Sequence, residues 1–254
     1  MNNQPDYFSP AHQWQIIGIA FGCLVLEQII MGIAAAHTCL NQTWKALMLI
    51  LATFAGIGLT WKLYQRQQTQ YQQIASQKSP ARPWYQQLLI VVLTVIIMEV
   101  ILQTWMQTCM QWWHFKLGLS TNQKSLNAMN QQIVPLGHIV LLLILCVYAP
   151  LVEEFFFRFA LINQRPPHWQ TKMQAWWYGL RAIISIILFT MLHMLGSFYA
   201  IFHQVPGHKA ALCYVCVYGI MAIVYTGLYL ATNNLKLPLA VHICWDLLSF
   251  VNNF

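Results

Sequence analysis

Hydrophobic residues along this chain come in long runs separated by shorter polar stretches. Crossing ~30 Å of hydrocarbon takes about 20 residues of α-helix. Seven runs reach or approach that length: 14–36, 44–63, 84–106, 134–161, 180–201, 211–231 and 235–252. The pattern predicts an all-α, polytopic bundle of about seven transmembrane helices. The stretch 64–83, rich in Gln and holding Pro80 and Pro83, predicts a hydrophilic loop. So does 107–133, where Trp112, Trp113 and Phe115 suit an aromatic belt at the membrane interface. No internal repeat and no separate soluble domain stands out.

Composition agrees with this reading. The 254 residues are 58% hydrophobic and only 7% charged, whereas a soluble domain carries about 25% charged residues. The net charge is +7, but the basic residues are scattered through loops. No basic cluster with interleaved aromatics points to nucleic acid, which is excluded as a partner. In a membrane protein, Lys and Arg report topology. Lys62, Arg66, Lys78, Arg82, Arg165, Lys172, Arg181 and Lys236 fall on one side, against Lys45, Lys116, Lys124 and Lys209 on the other. The richer side is expected to be cytoplasmic. In a cell membrane this puts the amino terminus inside and the carboxyl terminus outside. The amino terminus is polar, lacks Lys and Arg and runs into a full span, so no cleavable signal peptide is expected. The seven cysteines lie mostly within apolar runs. Cys213 and Cys216 have CxxC spacing but no second pair, so all are read as small buried residues.

Charge changes the picture most where it is negative. The chain has six acidic residues, and Glu27, Glu99, Glu153, Glu154 and Asp246 sit inside apolar segments; Asp6 alone lies in a wet stretch. Ionisable groups in a bilayer are costly unless paired or hydrated, and they mark functional sites by default. Glu153-Glu154-Phe155-Phe156-Phe157-Arg158 is the densest such cluster. Glu154 and Arg158, four apart, share a helix face and can pair. Glu153 points about 100° away, free for another role. Pro150 is expected to bend this helix and leave a carbonyl unpaired. Phe189 and His193 share a face of the fifth span, as do His242 and Asp246 in the seventh. The turn Thr232-Asn233-Asn234-Leu235-Lys236-Leu237-Pro238 leads into His242. Helical rise puts Glu153 about 12 Å, His242 about 10 Å and His193 about 18–20 Å from the cytoplasmic ends of their spans. One carboxylate and two imidazoles can therefore meet in the inner half of the membrane. That inventory suits activation of a water: a Glu takes its proton while His residues orient it, bind metal or stabilise charge. Each part also has a plainer reading. Glu154 with Arg158 can be a structural pair. Glu27 and Glu99, without basic partners at helical spacing, can be protonated packing residues or line a water path. The other histidines, at span ends or in loops, are read as bystanders.

The ordered set EExxxR, FxxxH and HxxxD resembles the CAAX protease and bacteriocin-processing family of intramembrane peptidases, the CPBP or Abi family. The residues are Glu153 to Arg158, Phe189-Thr190-Met191-Leu192-His193 and His242-Ile243-Cys244-Trp245-Asp246. Ala149-Pro150-Leu151-Val152 and Gly227-Leu228-Tyr229-Leu230-Ala231-Thr232 are similar too, so the resemblance covers roughly 135–250. It implies a catalytic core over 134–254, spans 4–7, joined to amino-terminal spans 1–3 and their loop over 1–133 in one integral membrane unit. It implies Glu153 as general base, Glu154 and Arg158 in support, and His193, His242 and Asp246 completing the site beside Phe189. The family often has Asn where this chain has Asp246. Asn can donate to an oxyanion and an ionised Asp cannot; Asp246 is either protonated or orients His242. No cofactor is implied with certainty. Glu153, His193 and His242 can hold a divalent metal such as zinc with one open position, although HExxH is absent. Metal-free water activation by glutamate fits the same residues and is preferred, because one Glu153 oxygen cannot be both base and ligand.

The resemblance thus implies an endopeptidase that cleaves membrane-associated proteins or peptides, in bacteriocin maturation or self-immunity. Two other classes compete. A non-catalytic immunity or scaffold protein would keep the fold and tolerate loss of Glu153. A proton-coupled transporter would need a polar path through both halves of the membrane, with Glu27 and Glu99 on it.

Overall fold

The computed structural model describes residues 10–35, 42–75, 83–114, 135–163 and 172–252. Among these the chain is helical almost throughout and forms no strands. We number the helices α1 (Pro10–Ala35), α2 (Gln42–Ala75), α3 (Trp84–Trp113), α4 (135–162), α5 (Lys172–Phe202), α6 (His208–Thr232) and α7 (Lys236–Asn252). All but α7 are long and apolar enough to cross a membrane. The 17 residues of α7 rise about 25 Å, slightly less than the hydrocarbon thickness. The chain is thus a multi-pass membrane protein with about seven spans.

Several helices outrun their apolar runs. α2 continues through Ala75, so the expected loop 64–83 is helical over its first twelve positions. Gln, Lys and Arg are good helix formers, and a helix leaving hydrocarbon for water has no reason to stop while its residues favour it. Tyr64 and Gln67 in this extension are buried. α3 likewise runs through Trp113, and α5 begins eight residues before the expected start. Residues 76–82, 115–134 and 164–171 lie outside the described residues, as does Cys39.

α4 is the axis of the bundle. It packs against α1, α2, α5 and α7. In its spanning window 56% of residues are buried, against 22% in α3 and α5; most of the α3 and α5 surface is left for lipid. One apolar core joins α1, α2 and α4. A second joins α3, α5, α6 and α7, with Phe157 reaching in from α4. Gly56 of α2 makes the first core possible: a Cβ there would stand 2.6 Å from the Tyr148 phenol.

The irregularity expected at Pro150 takes a specific form. α4 widens into π-helix at Ile144–Tyr148 and again at Phe155–Ile162, on either side of the α-helical Ala149–Glu154. Proline has no amide hydrogen to close the normal ladder. The looser winding re-registers it, as in the bond from the Ala149 amide to the Ile144 carbonyl. Ser185 of α5 donates to the Phe157 carbonyl at 2.6 Å within the second π stretch. π-segments are rare and turn side chains away from ordinary helical positions; here they bracket the two glutamates.

The α6–α7 turn is equally defined. Asn233 takes the left-handed conformation (φ 50°, ψ 31°), and its amide caps α6 on the Tyr229 carbonyl. Asn is among the residues that tolerate this geometry. The Lys236 amide donates to Asn234 Oδ1 at 2.9 Å, capping the start of α7. Tyr64 Oη donates to the same oxygen at 3.4 Å, tying α2 to the turn. This fixes where along α7 His242 stands.

Candidate active site

The two glutamates of α4 face different surroundings, as their 100° separation requires. Glu154 is fully buried, while Glu153 keeps 15% of its side chain exposed toward a cavity. Glu154 Oε1 accepts a hydrogen bond from His242 Nδ1 at 2.9 Å. Its other oxygen stands 3.3 Å from Arg158 Nε, an ion pair along one helix face whose alignment falls short of a hydrogen bond. The Arg158 guanidinium is fully buried and lies over aromatic rings, 4.4 Å from the Phe189 centroid and 5.5 Å from that of Tyr225. Arginine is weakly hydrated and stacks on such faces. The expected Glu154–Arg158 contact is present, and His242 joins it from α7.

Both imidazoles turn Nε2 toward Glu153. Its Oε2 lies 3.6 Å from His193 Nε2 and 3.8 Å from His242 Nε2. In each ring the other nitrogen is already committed. His193 Nδ1 meets the Phe189 carbonyl at 2.9 Å, and a carbonyl can only accept, so Nδ1 carries the hydrogen. His242 Nδ1 meets the Glu154 carboxylate, which in its ionised form also only accepts. The neutral form of both rings therefore presents an Nε2 lone pair to a carboxylate oxygen. Glu153 Oε2 is buried and has no hydrogen-bond partner among the described residues. Buried acceptors facing acceptors require a hydrogen source between them. One bridging water spans separations of this kind.

Asp246 stands one turn along α7 from His242, with Oδ2 3.6 Å from Nε2. Phe189 packs at a tilt against its helix neighbour His193, ring centroids 4.2 Å apart. Two tyrosines complete the packing, and sequence reasoning missed both. Tyr218 stacks on His193 at 4.9 Å and Tyr225 on His242 at 4.5 Å. The available signal was the spacing Tyr214, Tyr218, Tyr225, Tyr229, which follows one face of α6.

These groups open onto a cavity of about 740 Å³ bounded by α1, α3, α4, α5, α6 and α7. Glu27 and Glu99 line it together with Glu153 and Asp246. Glu27 stands within Coulombic reach of Glu153. Among the described residues no group of three His, Cys, Asp or Glu is placed to hold a metal ion. The six cysteines among the described residues are free thiols, and Cys23, Cys109, Cys146 and Cys213 are buried.

No curated protein and no solved structure matches the chain. A family model does: residues 135–248 match that of the Rce1-like type II CAAX prenyl endopeptidases. The match begins at the first residue of α4 and ends two residues beyond Asp246, so it contains every member of the Glu153 cluster. This segment, 114 of the chain's 254 residues, is similar to the CPBP family of intramembrane endopeptidases.

Proposed function

We propose that this protein hydrolyses peptide bonds of membrane-associated peptides or proteins by a water activated at Glu153. The observation that carries the reading is the unpartnered Glu153 Oε2, facing two Nε2 atoms whose hydrogens are committed elsewhere. A water between them donates one hydrogen to Glu153 and the other to an imidazole Nε2. Its lone pairs are then left to attack the carbonyl carbon of the scissile bond. Glu153 takes the proton as the C–O bond forms. The proton then passes to the leaving nitrogen as the C–N bond breaks, so one water is consumed per bond. The imidazole Nε2 keeps its hold on the hydrogen that remains on the attacking oxygen, and so orients the attack. Glu154 and Arg158 act through His242, holding its ring and tautomer. Asp246 stands beside His242 Nε2 and completes the site.

The chain's own substrate is proposed to be a membrane-associated peptide, in bacteriocin maturation or self-immunity. That assignment is supported by the family resemblance and by the absence of long insertions. The 134–254 segment acts as the catalytic core, with spans 1–3 joined to it in one unit. The amino terminus is proposed to be cytoplasmic in a cell membrane, supported by eight basic residues against four across the loops. Cysteines placed near Lys45 and Lys236 should label from opposite sides of sealed cells; labelling from one side contradicts this topology.

The hydrolytic claim is tested with the full-length protein in bilayers of ¹⁸O-enriched water and a set of membrane-anchored peptides. Cleavage with one ¹⁸O in the new carboxyl terminus is expected. Products without the label, or no cleavage of any peptide, contradict it.

A further inference from the structure

Away from the Glu153 cluster, three thiols stand together where α3 meets α6. Cys109 of α3 and Cys213 of α6 are both buried, and their thiols share a hydrogen bond. Cys216, one turn further along α6 and half-buried, lies within Coulombic reach of Cys109. Spacing along the chain gives only the Cys213–Cys216 neighbours of one helix; Cys109 is brought to them by the packing of α3 on α6. The Trp105 indole, one turn before Cys109, donates to the Cys213 carbonyl at 3.4 Å and sets the register of the two helices at this point.

The place of the pair decides what it can do. Met98 and Leu102 of α3 share an apolar core with Val217 and Met221 of α6, and the thiols stand at the end of this seam. Next to them lies a membrane face. Lys209, one turn before Cys213, is exposed and donates to the carbonyl of Trp113, one turn after Cys109, at 3.2 Å. In the topology proposed above, Lys209 is on the side away from the cytoplasm, where disulfides form and persist. Both helices also wall the cavity, with Gln103 and Met106 from α3 and Tyr214 and Tyr218 from α6. Tyr218 stacks on His193. A covalent bond between the two helices here holds two walls of the cavity together.

We infer that Cys109 and Cys213 form a redox-controlled disulfide that fastens α3 to α6 beside the cavity. The inference takes its oxidising side from the proposed topology and is independent of the peptidase reading. A disulfide bond is about 2 Å long, so thiols already in hydrogen-bond contact need only a short approach. With hydrogen peroxide as oxidant, one thiol sulfur attacks a peroxide oxygen, the O–O bond breaks, and a sulfenic acid and one water result. The other thiol sulfur then attacks the sulfenic sulfur. The S–S bond forms, the S–O bond breaks, and the departing hydroxide takes the thiol's proton and leaves as a second water. Two thiols are oxidised and one peroxide is reduced.

The test uses the full-length protein in lipid nanodiscs, reduced with dithiothreitol and then exposed to hydrogen peroxide while folded. The remaining thiols are alkylated after denaturation, and cross-linked peptides are mapped by mass spectrometry without reduction. A Cys109–Cys213 linkage that dithiothreitol reverses is expected. The oxidised protein should unfold about 5 °C or more above the reduced protein, and Cys109→Ala/Cys213→Ala should remove that difference. Both thiols still alkylated after peroxide, or a Cys109–Cys216 linkage in their place, overturns the pairing in the unsubstituted protein without any variant. A Cys109–Cys213 linkage with no rise in unfolding temperature overturns the fastening. Nanodiscs expose both faces and no peptide is present, so these outcomes are separate from those that contradict the topology or the hydrolytic reading.

Discussion

One cavity has two kinds of wall. On the α4–α7 side both glutamates of α4 are met by groups from other helices. Glu154 holds His242 of α7 and pairs with Arg158, and Glu153 faces imidazoles of α5 and α7. On the α1 and α3 side each acid is satisfied by a glutamine of its own helix. Bracing across helices fixes positions to the precision that bond chemistry needs. The difference separates a wall braced across helices from one satisfied within single helices.

The comparison breaks most severely at Arg158. Removing one member of a buried pair costs about 3–5 kcal/mol, so Arg158→Leu should lower the unfolding transition sharply in detergent and abolish activity. Arg158→Leu combined with Glu154→Leu should recover part of that stability and none of the activity. Equal stability of the single variant and the unsubstituted protein would show that the braced wall is not braced. Next is the support beneath it. Gly56→Ala drives a methyl into Tyr148, and overpacking of this kind costs about 1–3 kcal/mol; Gly56→Leu should be worse, and thermal unfolding checks both. Ser185→Ala removes one buried hydrogen bond to the second π stretch, worth about 1 kcal/mol, with a modest fall in kcat. Smallest is the locally paired wall: Gln103→Leu should shift stability by less than about 0.5 kcal/mol, as surface changes usually do. A larger loss there would mean that the Glu99–Gln103 pair holds the fold together.

Hydropathy was enough to find the helices because burial in lipid leaves an unmistakable pattern. Their ends were not legible. The Gln-rich residues after Tyr64 read as loop, yet nothing in them opposes a helix, and α2 continues to Ala75. Pro150 announced an irregularity, but the paired π stretches depend on how α4 meets Ser185 and the other helices, which no local pattern encodes. At the site, spacing along single helices was dependable: Glu154 with Arg158, Phe189 with His193 and His242 with Asp246 all share faces. Contacts between helices were expected only through depth arithmetic, and the Glu154–His242 hydrogen bond was not foreseen because α4 and α7 are 88 residues apart at that point. Glu27 and Glu99 could be read either as packing residues or as lining a water path. Their place on the cavity follows from the packing of α1 and α3 alone.

Parallel turnover measurements on Glu153→Gln and Glu99→Gln, with unfolding temperatures recorded for both, test the division of labour at its centre. A general base contributes about 10²- to 10⁴-fold, so Glu153→Gln should lose at least that much kcat on every peptide while keeping its fold. Glu99→Gln, whose carboxylate is held only by Gln103 of its own helix, should retain most of the turnover. Near-normal kcat in a folded Glu153→Gln protein would contradict the account.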